Sequence, residues 1–132
     1  MQLNVTTDYA IRTVVFLALS SGITRSADIS QVMGIPEKYT TALTRKLREG
    51  GIIHTLRGKH GGFSLKKSPA EISLYDIISI MEGTTHINRC LEEDHYCSRN
   101  AAEDCPVRCR YVDLELLLDN FLKGVTIQSL LE

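Results

Sequence analysis

All four cysteines of the chain lie between positions 90 and 109, in the stretch CLEEDHYCSRNAAEDCPVRC. Cys90, Cys97, Cys105 and Cys109 are separated by six, seven and three residues. None of these is the two-residue gap that zinc ribbons and knuckles use for close ligand pairs. A thioredoxin-like redox pair also requires two intervening residues, and ferredoxin-type runs are tighter. Wider gaps still permit an iron–sulfur cluster, because a cluster is larger than one ion and a long loop can wrap it. Spacing alone therefore leaves three chemistries open: an iron–sulfur cluster, a mononuclear metal such as zinc, or redox-switching thiols. Cys105 and Cys109 stand four apart at a helix start, where Pro106 fits the first turn and the helix N-terminus stabilises thiolates. Glu92, Glu93 and Asp94 would raise a nearby thiol pKa, so their expected role is solubility. His86 and His95 are further candidate ligands, although a lone loop histidine is more often simply solvated.

The elements that must position these thiols follow from periodicity and punctuation. TTDYAIRTVVFLALSSG reads as a mostly buried helix with Thr6 or Thr7 as its cap and Asp8 in its first turn. SADISQVMG reads as a short helix with Ser26 as cap, a buried stripe of Ile29, Val32 and Met33, and Gly34 as stop. IPEKYTTALTRKLREGG reads as a third helix, with Pro36 in its first turn and Tyr39, Leu43 and Leu47 recurring every four residues. Two short helices joined by a Gly-containing turn make a helix-turn-helix candidate. Its second helix carries Lys38, Thr40, Thr41, Thr44, Arg45 and Arg48 away from the apolar stripe, where they can reach base edges and phosphates. IIHTLRGKHGGFSLKK then reads as a β-hairpin, with strands at 52–56 and 63–65 and a basic, glycine-rich turn. Such a hairpin directly after a recognition-type helix is a wing, and its tip can touch the DNA backbone or enter the minor groove. Lys38, Tyr39, Thr41 and Arg45 on the helix, with Arg57, Gly58, Lys59 and His60 in the wing, are the candidate DNA-contacting residues.

ISLYDIISIMEG is a further helix, with Ser73 and Asp76 as a capping-box pair and Gly83 as stop. After the cysteine loop, RCRYVDLELLLDNFLKG reads as a long final helix. Its stripe of Tyr111, Leu114, Leu118 and Phe121, widened by Leu117 and Leu122, is expected to pair with a second subunit. TIQSLLE adds a short terminal turn. The expected fold is mainly α with a small β-hairpin wing, divided into a winged helix-turn-helix part (1–67), a connecting helix and cysteine loop (68–109) and a dimerisation helix with C-terminal turn (110–132).

Charge divides along the same lines. Residues 36–67 carry eight basic side chains against two acidic ones, and residues 68–105 carry eight acidic against two basic. A +6 segment beside a −6 segment suggests a polyanion-binding part and a second part with a different task. No apolar run reaches the ~18 residues of a membrane span, and the N-terminal residues lack a signal-peptide pattern. The expectation is a cytoplasmic protein without membrane contact, where thiols stay reduced. No nucleophile–base arrangement or phosphate loop points to an enzyme.

The whole chain resembles the IscR/NsrR-type family of bacterial winged-helix transcription factors. The resemblance rests on the ordered set TTDYAIRTVVFLAL, ADISQVMGIPEKYTTALTRKLREGGII, LRGKHGGFSL and ISLYDIISIMEG, followed by the cysteine loop and the long helix. It implies a homodimer on a pseudo-palindromic double-stranded DNA operator, with a 4Fe–4S or 2Fe–2S cluster held by Cys90, Cys97 and Cys105. Arg108 stands where the iron–sulfur biogenesis regulators carry a histidine ligand, and arginine only donates. Asp8 matches an aspartate that nitric-oxide-sensing members contribute from the opposite subunit, and Arg12 matches a residue near the cluster there. Cys109 is the second candidate for the fourth ligand. The alternatives are a cluster-free thiol switch, a zinc site, or sensing through a partner protein, as in members that lack the cluster cysteines.

Overall fold

Asn4, rather than Thr6 or Thr7, starts the first helix: its side chain accepts a hydrogen bond from the Thr6 amide at 3.0 Å. The structure, a computed structural model, describes residues 1–132. Helix α1 (Val5–Leu19) buries Thr7, Ala10, Thr13, Val14 and Leu17. Thr7 is turned inward, and its hydroxyl donates to the Glu82 carboxylate at 2.5 Å.

Helix α2 (Ser26–Met33) begins at Ser26 itself, after Arg25, and no side chain caps it. Its buried apolar stripe is narrower than expected. Ile29 is enclosed and Met33 packs on the core, but Val32 is 62% exposed. Gly34 closes the helix with φ +63, a left-handed conformation that other residues adopt at a cost. Helix α3 (Glu37–Glu49) follows, with Pro36 at the N-cap position one residue before the first turn. Leu43 and Leu47 are fully buried, whereas Tyr39 is half-buried against Tyr9, with ring centroids 5.2 Å apart.

Strands β1 (Ile53–Leu56) and β2 (Gly62–Leu65) pair antiparallel, with Ile53 opposite Leu65 and Leu56 opposite Gly62. Ile52 precedes the strand yet is buried. Thr24 adds a bridge to Phe63, which ties the loop between α1 and α2 to the hairpin. Ser68 and Glu71 form a capping box around a one-turn helix at Pro69–Glu71. Helix α4 (Leu74–Glu82) has the reciprocal Ser73–Asp76 box that its sequence announces.

The cysteine segment is a series of turns with a single helical turn at Arg89–Leu91, and helix α5 (Pro106–Gly124) emerges from it. No residue of α5 is buried within the chain. Behind it the C-terminus folds back: Thr126 bridges Ser73, and Ile127 is fully buried. One apolar cluster contains Ala10, Val14, Leu43, Leu47, Ile52, Ile72, Ile77, Met81 and Ile127, so the hairpin, the four N-terminal helices and the C-terminal turn share a core. Helix α5 lies outside it.

Candidate nucleic-acid interface and cysteine site

The outer face of α3 is built by subtraction. Leu43 and Leu47 commit one side of the helix to the core, and Thr40 and Thr44 are buried beside them. The Thr44 hydroxyl donates to the Thr40 carbonyl at 2.6 Å, and the Thr40 hydroxyl lies 3.2 Å from that of Ser30. Lys38, Thr41, Arg45 and Arg48 remain exposed at three- and four-residue spacing, hence on one face. Tyr39 is set back from them, and the Lys38 ammonium lies 5.1 Å over its ring.

The hairpin stands next to this face. Arg57, Gly58, Lys59 and His60 at its tip are all exposed, as expected of a wing. The tip closes tightly: the Gly61 amide donates to the Gly58 carbonyl at 3.0 Å, Gly58 has φ +108, and a Cβ on Gly61 would meet the Leu56 carbonyl oxygen at 2.2 Å. Between α3 and the hairpin lies a cleft of about 380 Å³ whose lining includes Ser26, Thr41, Arg45, Arg48 and Thr55. Ser26 and Thr55 were not among the sequence candidates. Ser26 reads locally as a cap, and Thr55 is one strand residue among several.

The cysteines are positioned by three local devices. Cys90 sits in the Arg89–Leu91 turn, anchored by buried Leu91, and its sulfur accepts from Asn88 Nδ2 at 3.2 Å. Cys97 opens the next turn, in which Asn100 takes φ +52. There the backbone amides of Ala101 and Arg99 point at the sulfur and hold its thiol below the ordinary range. Cys105 is the N-cap residue of α5.

These three cysteines line a single cavity of about 390 Å³, together with Arg99, Arg108 and Tyr111. Arg108 is tied down rather than free, because its Nε donates to the Cys90 carbonyl at 3.0 Å. Cys109 is exposed one turn along α5 and does not line the cavity. Asp8 lies outside it as well, half exposed on α1 and paired with Arg12 at 2.6 Å. His86 and His95 are also elsewhere: His86 bonds to Glu115 through Nδ1 at 2.9 Å, and His95 sits in a turn with φ +49. All four thiols are free. No three histidine, cysteine or acidic side chains converge closely enough to hold one ion.

The segment around Cys90 is held by ion pairs. Arg89 grips Asp94 with both terminal nitrogens and holds that carboxyl down to about 2. Glu115 on α5 accepts from both His86 and the Ile87 amide, and the carboxylate raises the His86 pKa.

A recognition-type helix flanked by a basic hairpin defines a winged-helix DNA-binding protein, of the class that regulates transcription. The chain belongs to the Rrf2 family: the family model described as "Iron-dependent Transcriptional regulator" matches residues 3–132. A protein of Aquifex aeolicus (strain VF5), whose name places it among HTH-type transcriptional regulators, is 31% identical over 96% of this chain and 88% of its own length. The HTH-type transcriptional regulator IscR of Klebsiella pneumoniae (strain 342) is 29% identical over 92% of this chain and 74% of its own. Among solved structures, CymR of B. subtilis, described as the global cysteine regulator, superposes with TM-score 0.78 at 24% identity. It covers 98% of this chain and 95% of its own. No helix is long and apolar enough to cross a membrane.

Proposed function

We propose that this Rrf2-family regulator is a cytoplasmic homodimer that binds an operator through α3 and the wing and senses redox or nitric-oxide status through an iron–sulfur cluster on Cys90, Cys97 and Cys105. The observation that carries the cluster reading is the shared cavity. Three thiols separated by up to fifteen positions in sequence line one space. A cluster spans several metal ions and takes its ligands from around its periphery, so this donor set suits it better than one tetrahedral zinc. Such a group would supply chemistry sensitive to oxidants and nitric oxide. The protein's part is to lower the Cys97 thiol pKa through backbone amides and to place Arg99 and Arg108 beside the sulfurs. Arg108 also fastens the Cys90 turn to α5. The loop lies between α4 and α5, so its ordering bears on the distance between two recognition helices, which must reach successive major grooves about 34 Å apart.

One observation favours a second reading, a cluster-free thiol switch: Cys97 is a partly exposed thiol with a lowered pKa, as redox-sensing cysteines are. Anaerobic purification separates the two. Cluster-bearing protein is brown and contains iron and sulfide in the ratio of its cluster. Colourless protein without iron, with thiols that oxidise reversibly, would establish the thiol switch, and stoichiometric zinc would rule out both.

A further inference from the structure

We propose that the cleft between α3 and the hairpin seats one backbone phosphodiester of DNA, with Arg48 as its principal ligand and the Ser26 and Thr55 hydroxyls beside it. The inference rests on the DNA-binding reading and assigns a task within it. A recognition helix in a major groove and a wing in the neighbouring minor groove straddle the sugar–phosphate strand that separates those grooves. That strand must cross the space between α3 and the hairpin, and the cleft of about 380 Å³ is that space.

Its chemistry is that of an anion site. Arg45 and Arg48 line it and no carboxylate does. Five ion pairs form in the chain, and neither arginine belongs to any of them. The buried Thr40 and Thr44 hydroxyls are committed to Ser30 and to backbone. The Ser26, Thr41 and Thr55 hydroxyls have no partner in the chain and remain available. A guanidinium fork matches two phosphate oxygens at once, and hydroxyls can satisfy the remaining lone pairs.

The two arginines divide the work. Arg45 shares the outward row of α3 with Lys38 and Thr41, towards base edges. Arg48, three residues later, is the last basic residue of α3 before the hairpin in sequence. A phosphate contact fixes register and orientation without reading sequence.

The test uses a duplex that the full chain selects from random sequence. Each phosphodiester in turn is replaced by a neutral methylphosphonate, and binding is measured by fluorescence anisotropy for wild type, Arg48→Gln and Arg45→Gln. One position per half-site should weaken wild type at least about tenfold, the cost of losing a hydrogen bond to a charged group. The same position should weaken Arg48→Gln less than about twofold. Arg48→Gln should weaken selected and scrambled duplexes alike and lower the salt slope by about one per half-site. Arg45→Gln should instead reduce the preference for the selected sequence. Arg48 is exposed, so an unchanged melting curve shows that Arg48→Gln is folded, and Arg48→Lys should restore the charge but only part of the affinity. Equal methylphosphonate penalties in wild type and Arg48→Gln at every position overturn the seat while leaving DNA binding intact. Failure of wild type to bind any duplex overturns the DNA reading itself, and the seat with it.

Discussion

Arg108 on α5 reaches back eighteen residues to the Cys90 carbonyl, with Nε and O 3.0 Å apart. It is the one hydrogen bond from the dimer-helix candidate to the turn that carries the first cysteine. A charged donor on a partly buried carbonyl contributes about 1 kcal/mol or more. Arg108→Ala should therefore cost roughly that amount of stability and speed amide exchange at Leu91 and Glu92, whose own bonds close the same turn. Exchange as slow as in wild type would show that the Arg89–Leu91 turn holds itself.

Assembly is best tested at the outermost residues of α5. Leu117 is 70% and Phe121 67% exposed, whereas Tyr111 and Leu118 lean on their own chain. Burying a leucine side chain stabilises by roughly 2 kcal/mol, and a two-fold interface counts each residue twice. Leu117→Glu should give a particle of 14.8 kDa by light scattering, with the thermal unfolding of the monomer preserved. A dimer that withstands this change must be formed by another surface.

The His86–Glu115 contact makes a pH-dependent link between the cysteine segment and α5. The Glu115 carboxylate raises the His86 pKa above its ordinary 6.5. The sign follows from linkage: the contribution is fully present below about pH 6.5 and is lost as pH rises through the higher folded value. Denaturant midpoints of wild type should fall relative to Glu115→Gln between about pH 6 and pH 8. Parallel profiles for the two proteins would mean that the contact carries no linked proton.

Much of this fold was legible because its signals are local. The Ser73–Asp76 box, the Gly34 stop and the α3 stripe of Leu43 and Leu47 lie within one or two helical turns, where capping and periodicity operate. Misreadings occurred where distant groups decide. Thr7 offered a cap, but Glu82 on α4 draws its hydroxyl inward and leaves the cap to Asn4. Val32 fits the α2 stripe, yet α2 turns Ile29 and Met33 to the core and leaves Val32 in solvent. Ile127 is buried through a C-terminal bridge to Ser73, more than fifty positions away. The same limit applies at the candidate site. The clustering of all four cysteines in one segment announced a common task, but only the folded turns show that Cys109 is left out of the cavity that Cys90, Cys97 and Cys105 line.

The fourth ligand divides into two experiments. Changing any one of Cys90, Cys97 and Cys105 to alanine should give colourless protein after anaerobic reconstitution, since each lines the cavity. Asp8 and Cys109 then compete, and neither lines that cavity in its own chain. Cys109 is on the same chain but exposed, and its amide bonds back to Cys105 at 3.3 Å, so the rigid helix fixes its distance from that sulfur. Asp8 is half exposed on α1, and only Arg12 holds it. An exposed pair of this kind is worth less than about 1 kcal/mol, so Asp8 can leave it at little cost. An oxygen ligand is also more labile than a thiolate, which suits a sensor that must open a coordination site. Asp8 of the partner subunit is therefore the expected ligand. Asp8→Ala should alter the visible circular dichroism of the reconstituted protein, and Cys109→Ala should leave it unchanged. The reverse pattern, an unchanged spectrum in Asp8→Ala and bleaching in Cys109→Ala, would make this a four-cysteine site closed within one subunit.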